Sequence, residues 1–482
     1  MDVNPLATRV EKLTGLLDVG KAMASERNLD RLLQLILSEV TKVMEADRSS
    51  LFLVDRERNE LWSKIAQGLE VREIRIKIGM GISGYVAQTG KTVNIQDAYN
   101  DPRFNPETDK RTGYRTHTIL CAPMLNKLNE VNGVLQVLNK RDGVFTREDE
   151  ELLLALSSQA AVAIENAILY EDIQKLFEGF IKASVYAIES RDPTTSGHSE
   201  RVAILTVGLA ESVDRVDSGP YADVTFSAED MRELRYTSLL HDFGKVGVRE
   251  PVLVKANKLY PSSLDIVTAR FKFIQKSLEN SYLQKKLALA MTLGTGCERD
   301  LAALDEELQQ RLAEMKDQFN FILEANKPTL LPQGGFERIQ EIAANTFVDV
   351  DGTKVPFLTT KEAENLSIGK GSLNLQERQE VESHVTHSFR FLRQIPWTRD
   401  LRRIPTIAYA HHEKVNGQGY PNALRSEDIP FQAKLMAICD VYDALTASDR
   451  PYKRALPPEQ ALDILAEEVN EGNLDEELVR IF

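Results

Sequence analysis

The sequence predicts two domains: an α+β domain with a central antiparallel sheet flanked by helices, then a long helix leading into an all-α domain with a helical insertion. Three observations carry this expectation. Strand-like alternation is confined to roughly the first third of the chain. A helical pattern then runs without a breaker from Thr146 to Ser190, and from Arg191 onward the pattern is overwhelmingly helical. A length of 482 residues exceeds what one hydrophobic core serves, and alone suggests about three domains.

The elements follow in order. Leu33, Ile36, Val40 and Val43 recur at 3,4,3 spacing, the signature of an amphipathic helix. Ser49 to Val54 and Ile119 to Val137 are strand-like, with Asn- and Gly-bearing turns between them. Thr146 is placed to cap the long helix, with Asp149 three residues on. Within that helix Leu169, Ile173, Leu176 and Phe180 repeat at 4,3,4, a short heptad stripe that suits either a homodimer seam or packing on the chain's own domain. Later, Leu304, Leu308, Leu312, Met315, Phe319 and Ile322 form one apolar stripe in a charged, helix-rich stretch. The expected domains are 1–165, the connecting helix 146–190, and 191–482 with an insertion at 271–370.

Composition narrows the function classes. Hydrophobic content of 42% with 27% charged residues is ordinary for a soluble protein. No run approaches the roughly 18 apolar residues that span a bilayer, and Met1 to Leu16 lacks a signal-peptide core. These features predict a cytoplasmic protein with no membrane partner. The three cysteines are odd in number and far apart, so they build no disulfide framework. A net charge of −14 argues against nucleic-acid binding but leaves room for a small anion, because a metal site reverses the local field.

Six of the seven histidines lie between His198 and His412. His198 is in line with Val202, Leu205 and Leu209, on the inward face of a helix. His241 and Asp242 follow Leu239 and Leu240, and His384 shares a face with Ser388 and Leu392. His411 and His412 are adjacent after an apolar segment, and Asp440 shares a face with Met436 and Asp443. A lone inward histidine usually marks ordinary core packing. Five histidines and two aspartates recurring in one helical region instead predict a metal site, and they exceed the needs of one ion. In a two-metal site one carboxylate bridges the ions and a shared water becomes the nucleophile.

The strings GHSERV (Gly197–Val202), HDFGKVG (His241–Gly247), SHVTH (Ser383–His387), HHEKVNGQGYP (His411–Pro421) and CDVYDALTASDRPYKRA (Cys439–Ala455) resemble the HD-GYP family of all-helical metallophosphodiesterases. That resemblance implies hydrolysis of cyclic di-GMP by two divalent ions, iron or manganese, with either linear pGpG or GMP as the end product. It implies metal ligands at His198, His241, Asp242, His384, His411, His412 and Asp440, with Asp242 bridging. Lys245, read as sitting one helical turn from His241, would contact the scissile phosphate. Arg450, Lys453 and the Gly419–Tyr420–Pro421 loop would hold the substrate. Another cyclic dinucleotide or nucleotide as substrate, or a catalytically silent receptor, are the rival readings.

Two departures from the family stand out. Asn257–Arg270 resembles the connection before the third ligand histidine, yet Arg270 holds the histidine's place, and the pattern recurs at Gly371–His384. About a hundred residues thus look inserted. Thr194 stands where relatives with a third metal carry an acid, which favours two ions; His387 matches no ligand position.

The N-terminal region, from about residue 15 to 165, resembles a GAF domain of the cyclic-nucleotide-binding branch. The likeness rests on Asn94–Met124 and on Asn139, Lys140, Phe145, Asp149 and Glu150. It implies a cAMP or cGMP effector acting through the long helix. Lys140 and Asp149 are suited to an ion pair that clamps the last strand to that helix. Asp109, Thr112 and Thr116, at 3 and 4 spacing, read as one helical face for a purine and cyclic phosphate, or as plain surface decoration.

Overall fold

Asn28 opens the first well-defined helix of the computed structural model: its side chain accepts a hydrogen bond from Arg31 N at 3.0 Å, capping Leu29–Val43. The described residues are 17–63, 74–190, 196–447 and 455–482. They fall into two units, Met1–Gly179 and Phe180–Phe482. The capped helix buries Leu32, Leu33, Ile36, Leu37 and Val40, and each such burial contributes about 2 kcal/mol.

The first unit is built on six strands: β1 (Ala46–Asp55), β2 (Glu60–Ser63), β3 (Ile74–Lys77), β4 (Val93–Ile95), β5 (Ile119–Leu125) and β6 (Val131–Lys140). They pair in the order β3-β2-β1-β6-β5-β4, every pair antiparallel. Both faces are covered, so alternate residues of β5 enter different cores. Leu120, Ala122 and Met124 join the cluster made with the flanking helices. Ile119 and Cys121 face the cluster of Ile82, Val86 and Ile95.

Thr146 and Asp149 cap the helix Arg147–Glu189 reciprocally, with Asp149 accepting from Thr146 N at 2.8 Å. Lys140 Nζ lies 3.1 Å from Asp149 Oδ1 and donates to Met44 O at 3.0 Å, which is the expected clamp. This helix contains an 18-residue window of mean hydropathy 1.6, long and apolar enough to cross a membrane, contrary to the expectation that no run is. Burial accounts for 44% of that window: Leu153, Leu156, Ala160, Ala163 and Ala167 belong to the sheet domain's core.

In the second unit, helices His198–Val213, Ala228–Leu240, Ile404–Tyr409, Phe431–Thr446, Pro458–Asn470 and Glu476–Ile481 surround one core. A separate core, running from Leu259 to Leu366, holds helices Pro261–Leu293, Glu298–Ala325, Gly335–Ala344 and Thr360–Leu366. Of the expected apolar stripe, Met315 and Ile322 are buried there. This inserted body reaches back past residue 271, because the helix that enters it starts at Pro261. It is not wholly helical: Thr346–Val348 pairs with Lys354–Pro356 in a small hairpin. Its stem is held by a buried ion pair, Lys255 Nζ to Glu377 Oε2 at 2.6 Å, with Tyr260 OH on Glu377 Oε1 at 2.8 Å. Arg270, read from the sequence as holding a ligand histidine's place, serves this body: its guanidinium meets Glu362 at 2.7 Å and 3.2 Å and Phe357 O at 3.0 Å.

Candidate metal centre

Three imidazoles are aimed in the same way. His241, His384 and His411 each present Nδ1 to the backbone carbonyl three residues earlier: Ser238 O at 2.7 Å, Val381 O at 2.6 Å and Ala408 O at 2.7 Å. A carbonyl only accepts, so Nδ1 carries the proton and the Nε2 lone pair is left to face inward. All three rings are at most 2% exposed, and their Nε2 atoms have no hydrogen-bond partner among the described residues. A buried acceptor without a partner is costly unless a ligand completes it.

The remaining donors converge on the same point. Asp242 Oδ1 is 3.2 Å from His384 Nε2, and Asp242 Oδ2 is 3.5 Å from His241 Nε2. His198 Nε2 lies 3.2 Å from Asp440 Oδ1 and 3.7 Å from Asp242 Oδ2. His412 Nδ1 is 3.9 Å from Asp440 Oδ2. Three overlapping groups have ligand atoms within 4.8 Å of one another: His384, His411 and His412; His198, His241 and Asp242; His241, His411 and Asp440. The structure thus brings all seven side chains together, across elements more than two hundred residues apart in sequence. Imidazole and carboxylate donors of this number fit divalent ions.

The electrostatics suit cation binding. Burial opposes ionisation of Asp242, but the Lys245 ammonium and the His241 ring outweigh it and hold the carboxyl well below its usual range. The same contest, won by His198, keeps Asp440 ionised. Burial pushes His241 down and His411 far down, with neighbouring His412 adding to the latter. Burial also lowers His412 to about 4. Burial opposes a proton on His198 too, yet Asp440 and Asp443 lift it to about 9. Asp440 and Asp242 would partner a bound divalent cation in place of that proton.

Backbone packing keeps these donors close. Gly244 follows the His241–Asp242 pair, and a Cβ there would overlap the carbonyl oxygen of His384. Ser388 Oγ stitches the same contact, accepting from Gly244 N at 2.7 Å and donating to His241 O at 2.6 Å. Lys245 does not sit on an α-helical turn as expected. The helix ends at Leu240 and Lys245 lies in the 3-10 segment Phe243–Gly247, with Nζ 2.8 Å from Asp242 Oδ2. The Gly419–Tyr420–Pro421 loop folds back on the histidine pair: Tyr420 N donates to His412 O at 3.1 Å, and the two rings are 4.8 Å apart. Buried Glu413 holds the loop by accepting from Asn422 N and Leu424 N at 2.7 Å and 2.8 Å.

Two contributors escaped the sequence reading as functional groups. Asp443 Oδ2 is 2.7 Å from His198 Nδ1, and Arg201 donates to both of its oxygens. The only signal was that Asp443 lies three residues after Asp440, on the same helix face. Glu413 likewise gave no hint beyond its place next to His412. His387 packs its ring against Gly247, where a Cβ would come within 2.9 Å of it. Arg450, Lys453 and Thr194 lie outside the described residues.

The expected GAF-side face is corrected. The helix Glu107–Thr112 stops at Gly113 (φ 69°), so Thr116 is beyond it. Asp109 is turned inward and both its oxygens are taken, by Thr116 Oγ1 at 2.8 Å and by Thr116 N at 2.7 Å, with Tyr99 OH at 3.1 Å. The Thr112 side chain lies outside what is described.

Family models match at two places: GAF domain over residues 28–164, and HD domain over residues 339–478. The chain carries a GAF domain followed by an HD domain. The matched HD span contains His384, His411, His412 and Asp440; His198, His241 and Asp242 precede it, on the far side of the inserted body. One relative, a probable 3′,5′-cyclic phosphodiesterase of Caenorhabditis elegans, is 37% identical over 188 residues, covering 36% of this chain and 26% of its own. Another, a dual 3′,5′-cyclic-AMP and -GMP phosphodiesterase of Takifugu rubripes, is 38% identical over 175 residues, covering 34% and 19%. The chain therefore spans about a quarter or less of the length of these relatives. A GAF domain structure from Coxiella burnetii is 26% identical with TM-score 0.31, covering 33% of this chain and 96% of that one.

Proposed function

We propose that the chain is a metal-dependent phosphodiesterase that hydrolyses cyclic di-GMP, with linear pGpG or GMP as the end product, under control of its GAF domain. The observation that supports this most is the ring of buried imidazoles with unpartnered Nε2 atoms around Asp242. Two divalent ions, iron or manganese, held by His198, His241, Asp242, His384, His411, His412 and Asp440 would supply Lewis acidity and an acidified water. Asp242, placed between His198, His241 and His384, is the carboxylate positioned to be shared. Lys245 Nζ lies 2.8 Å from Asp242 Oδ2, and its ammonium is proposed to offset negative charge gained by a phosphodiester under attack. Tyr420, its ring centred 4.8 Å from that of His412, is proposed to offer an apolar ring to a base, within the loop Gly419 to Pro421. Arg450 and Lys453 are proposed as further anion contacts.

The GAF domain is proposed to take a cyclic nucleotide, cAMP or cGMP, and to act on the HD domain through the helix Arg147–Glu189. Within the candidate set Asp109 and Thr116 would serve by shaping the binding loop, because they already bond each other; Thr112 is kept as a proposed ligand-binding residue. The protein is proposed to work as a homodimer.

A 3′,5′-cyclic mononucleotide is the second substrate reading, favoured by the names of the matched relatives. Those matches, however, extend over 188 and 175 residues, whereas the His198–Asp443 contact alone joins positions 245 apart. Neither match can contain the whole cluster. Chromatography of products from cyclic di-GMP, other cyclic dinucleotides, cAMP and cGMP decides: the fastest turnover is expected for cyclic di-GMP. Faster hydrolysis of cAMP or cGMP, or hydrolysis undiminished in Asp242→Ala, overturns the proposal.

A further inference from the structure

One cross-strand row of the sheet is short of side chains where the long helix lies on it. Trp62, Leu53, Gly133 and Met124 are register partners on four neighbouring strands, so all four positions face the same side. Gly133 adds nothing to that face, and a Cβ there would overlap Met124 Cε, which leans into its place. From the helix Arg147–Glu189 comes Ala161, another short side chain. The two gaps leave a cleft of about 280 Å³ between sheet and helix, close to the roughly 300 Å³ at which small-molecule sites begin.

The lining is graded from apolar to charged. Leu53, Met124, Ala161 and Ile164 make the floor, each at most 6% exposed. Ile168, Leu169 and half-buried Trp62 stand higher, with three polar side chains, Arg56, Asn132 and Glu165. Arg56 is already committed, its guanidinium 2.7 Å from Glu130 Oε2. Glu165 and Asn132 have no ion pair or side-chain hydrogen bond among the described residues. The uncompensated charge of the cleft is therefore one carboxylate, close to an indole ring. Both attract an ammonium, the ring through its negative face, and both disfavour an anion. The Asn132 carbonyl can accept from the same head group, while the floor takes an apolar body out of water.

We infer that this cleft binds a small organic ammonium with an aromatic or alkyl body, at a site separate from the cyclic-nucleotide face proposed above. Leu53 and Met124 belong to the cluster on the helix-covered side of the sheet. Ala98 and Phe104, which flank the Tyr99–Asp109 hydrogen bond, pack with Ile119 and Cys121 on the other side. Two ligands would thus occupy opposite faces of one sheet. The cleft also marks where the helix leaves the sheet, since Ala167 ends its buried face and none of residues 168–180 is buried. A ligand between Trp62 and Ile164–Leu169 adds contact there and holds that turn against the sheet.

The chain has two tryptophans, Trp62 and Trp397, so Trp397→Phe in the full chain leaves Trp62 as its one indole reporter. Phenethylamine should shift the emission of that variant saturably. Phenylacetate, with the same ring and the opposite charge, should bind about tenfold more weakly, and phenethyl alcohol should fall between them. Glu165→Gln should erase the preference for the amine and leave the circular dichroism unchanged, because Glu165 holds nothing else in place. In the unmodified chain, amide exchange over Ala161–Leu169 should slow when the amine is added. An absence of both the emission shift and the slowed exchange at millimolar amine overturns the site. So does equal affinity for phenylacetate, or unaltered amine affinity in Glu165→Gln. Amine binding that appears only on dilution to a monomer makes a second copy of the chain the occupant, and likewise overturns it.

Discussion

Asp443 orients His198 across 245 positions of sequence: its Oδ2 lies 2.7 Å from the ring Nδ1, and Arg201 grips the same carboxylate through Nε at 2.6 Å. The other three buried rings take their direction from the carbonyl three residues earlier. His198, which follows Gly197 in a left-handed conformation, takes its direction from a carboxylate on another helix. A carboxylate beyond a metal-binding imidazole fixes the tautomer and raises the basicity of the free nitrogen.

Asp443→Asn should therefore weaken metal binding by about 10–100-fold, measured by titrating apo-protein with Mn²⁺. Activity at saturating metal should recover in part. Arg201→Met should show a weaker effect in the same direction. Equal metal affinity in Asp443→Asn and the parent would show that Asp443 does not orient the ligand.

His241→Ala and Asp242→Ala should each lower bound metal and abolish hydrolysis, with the fold retained by circular dichroism. Chelation of the parent should reproduce the loss, and Mn²⁺ or Fe²⁺ should reverse it. A receptor without catalysis would keep messenger binding and show no turnover before chelation.

Gly244→Ala should destabilise the HD domain by about 3 kcal/mol or more, since overpacking a closed contact carries at least that order of cost. The close approach to His384 leaves the added methyl no exit short of moving a ligand-bearing helix. Urea denaturation measures it, and metal content should fall in parallel.

The stem of the inserted body should be acid-sensitive. Burial raises the Glu377 carboxyl, but Lys255, Asn374 and Tyr260 outweigh it, so its folded value lies below 4.5. A depressed carboxyl contributes stability that is fully present above its unfolded value and is lost as pH falls through the folded one. Glu377→Gln should lower stability at neutral pH by about 3 kcal/mol, as expected for breaking a buried pair and leaving a lysine alone. It should also flatten the acid limb of the stability profile below about pH 4.5. A parallel acid limb in parent and variant would assign the acid sensitivity elsewhere.

Much of this protein was legible from residue order. Periodicity located the first helix, the long helix and the inserted stripe, because a 3.6 or 3.5 repeat of apolar residues is a local property of one segment. The Thr146–Asp149 cap and the Lys140–Asp149 clamp were readable because their partners are within ten positions. Reading failed where the same spacing hides a break. Asp109, Thr112 and Thr116 keep a helical interval, yet Gly113 adopts a left-handed φ and ends the helix between them. It also failed at Lys245, where the α-helix stops at Leu240 and a tighter turn takes over.

By itself the sequence determined which side chains were available for chemistry: five imidazoles and two carboxylates within one helical region, beyond what packing needs. Tertiary structure alone decided that they meet, that three rings point Nε2 inward, and that Asp443 rather than a carbonyl orients the fourth. It also decided that Arg270 and Glu377 belong to the inserted body's own framework. The reason is physical: helix periodicity is encoded within a few residues, whereas a donor's orientation depends on a partner supplied by another helix, and no local pattern records which one.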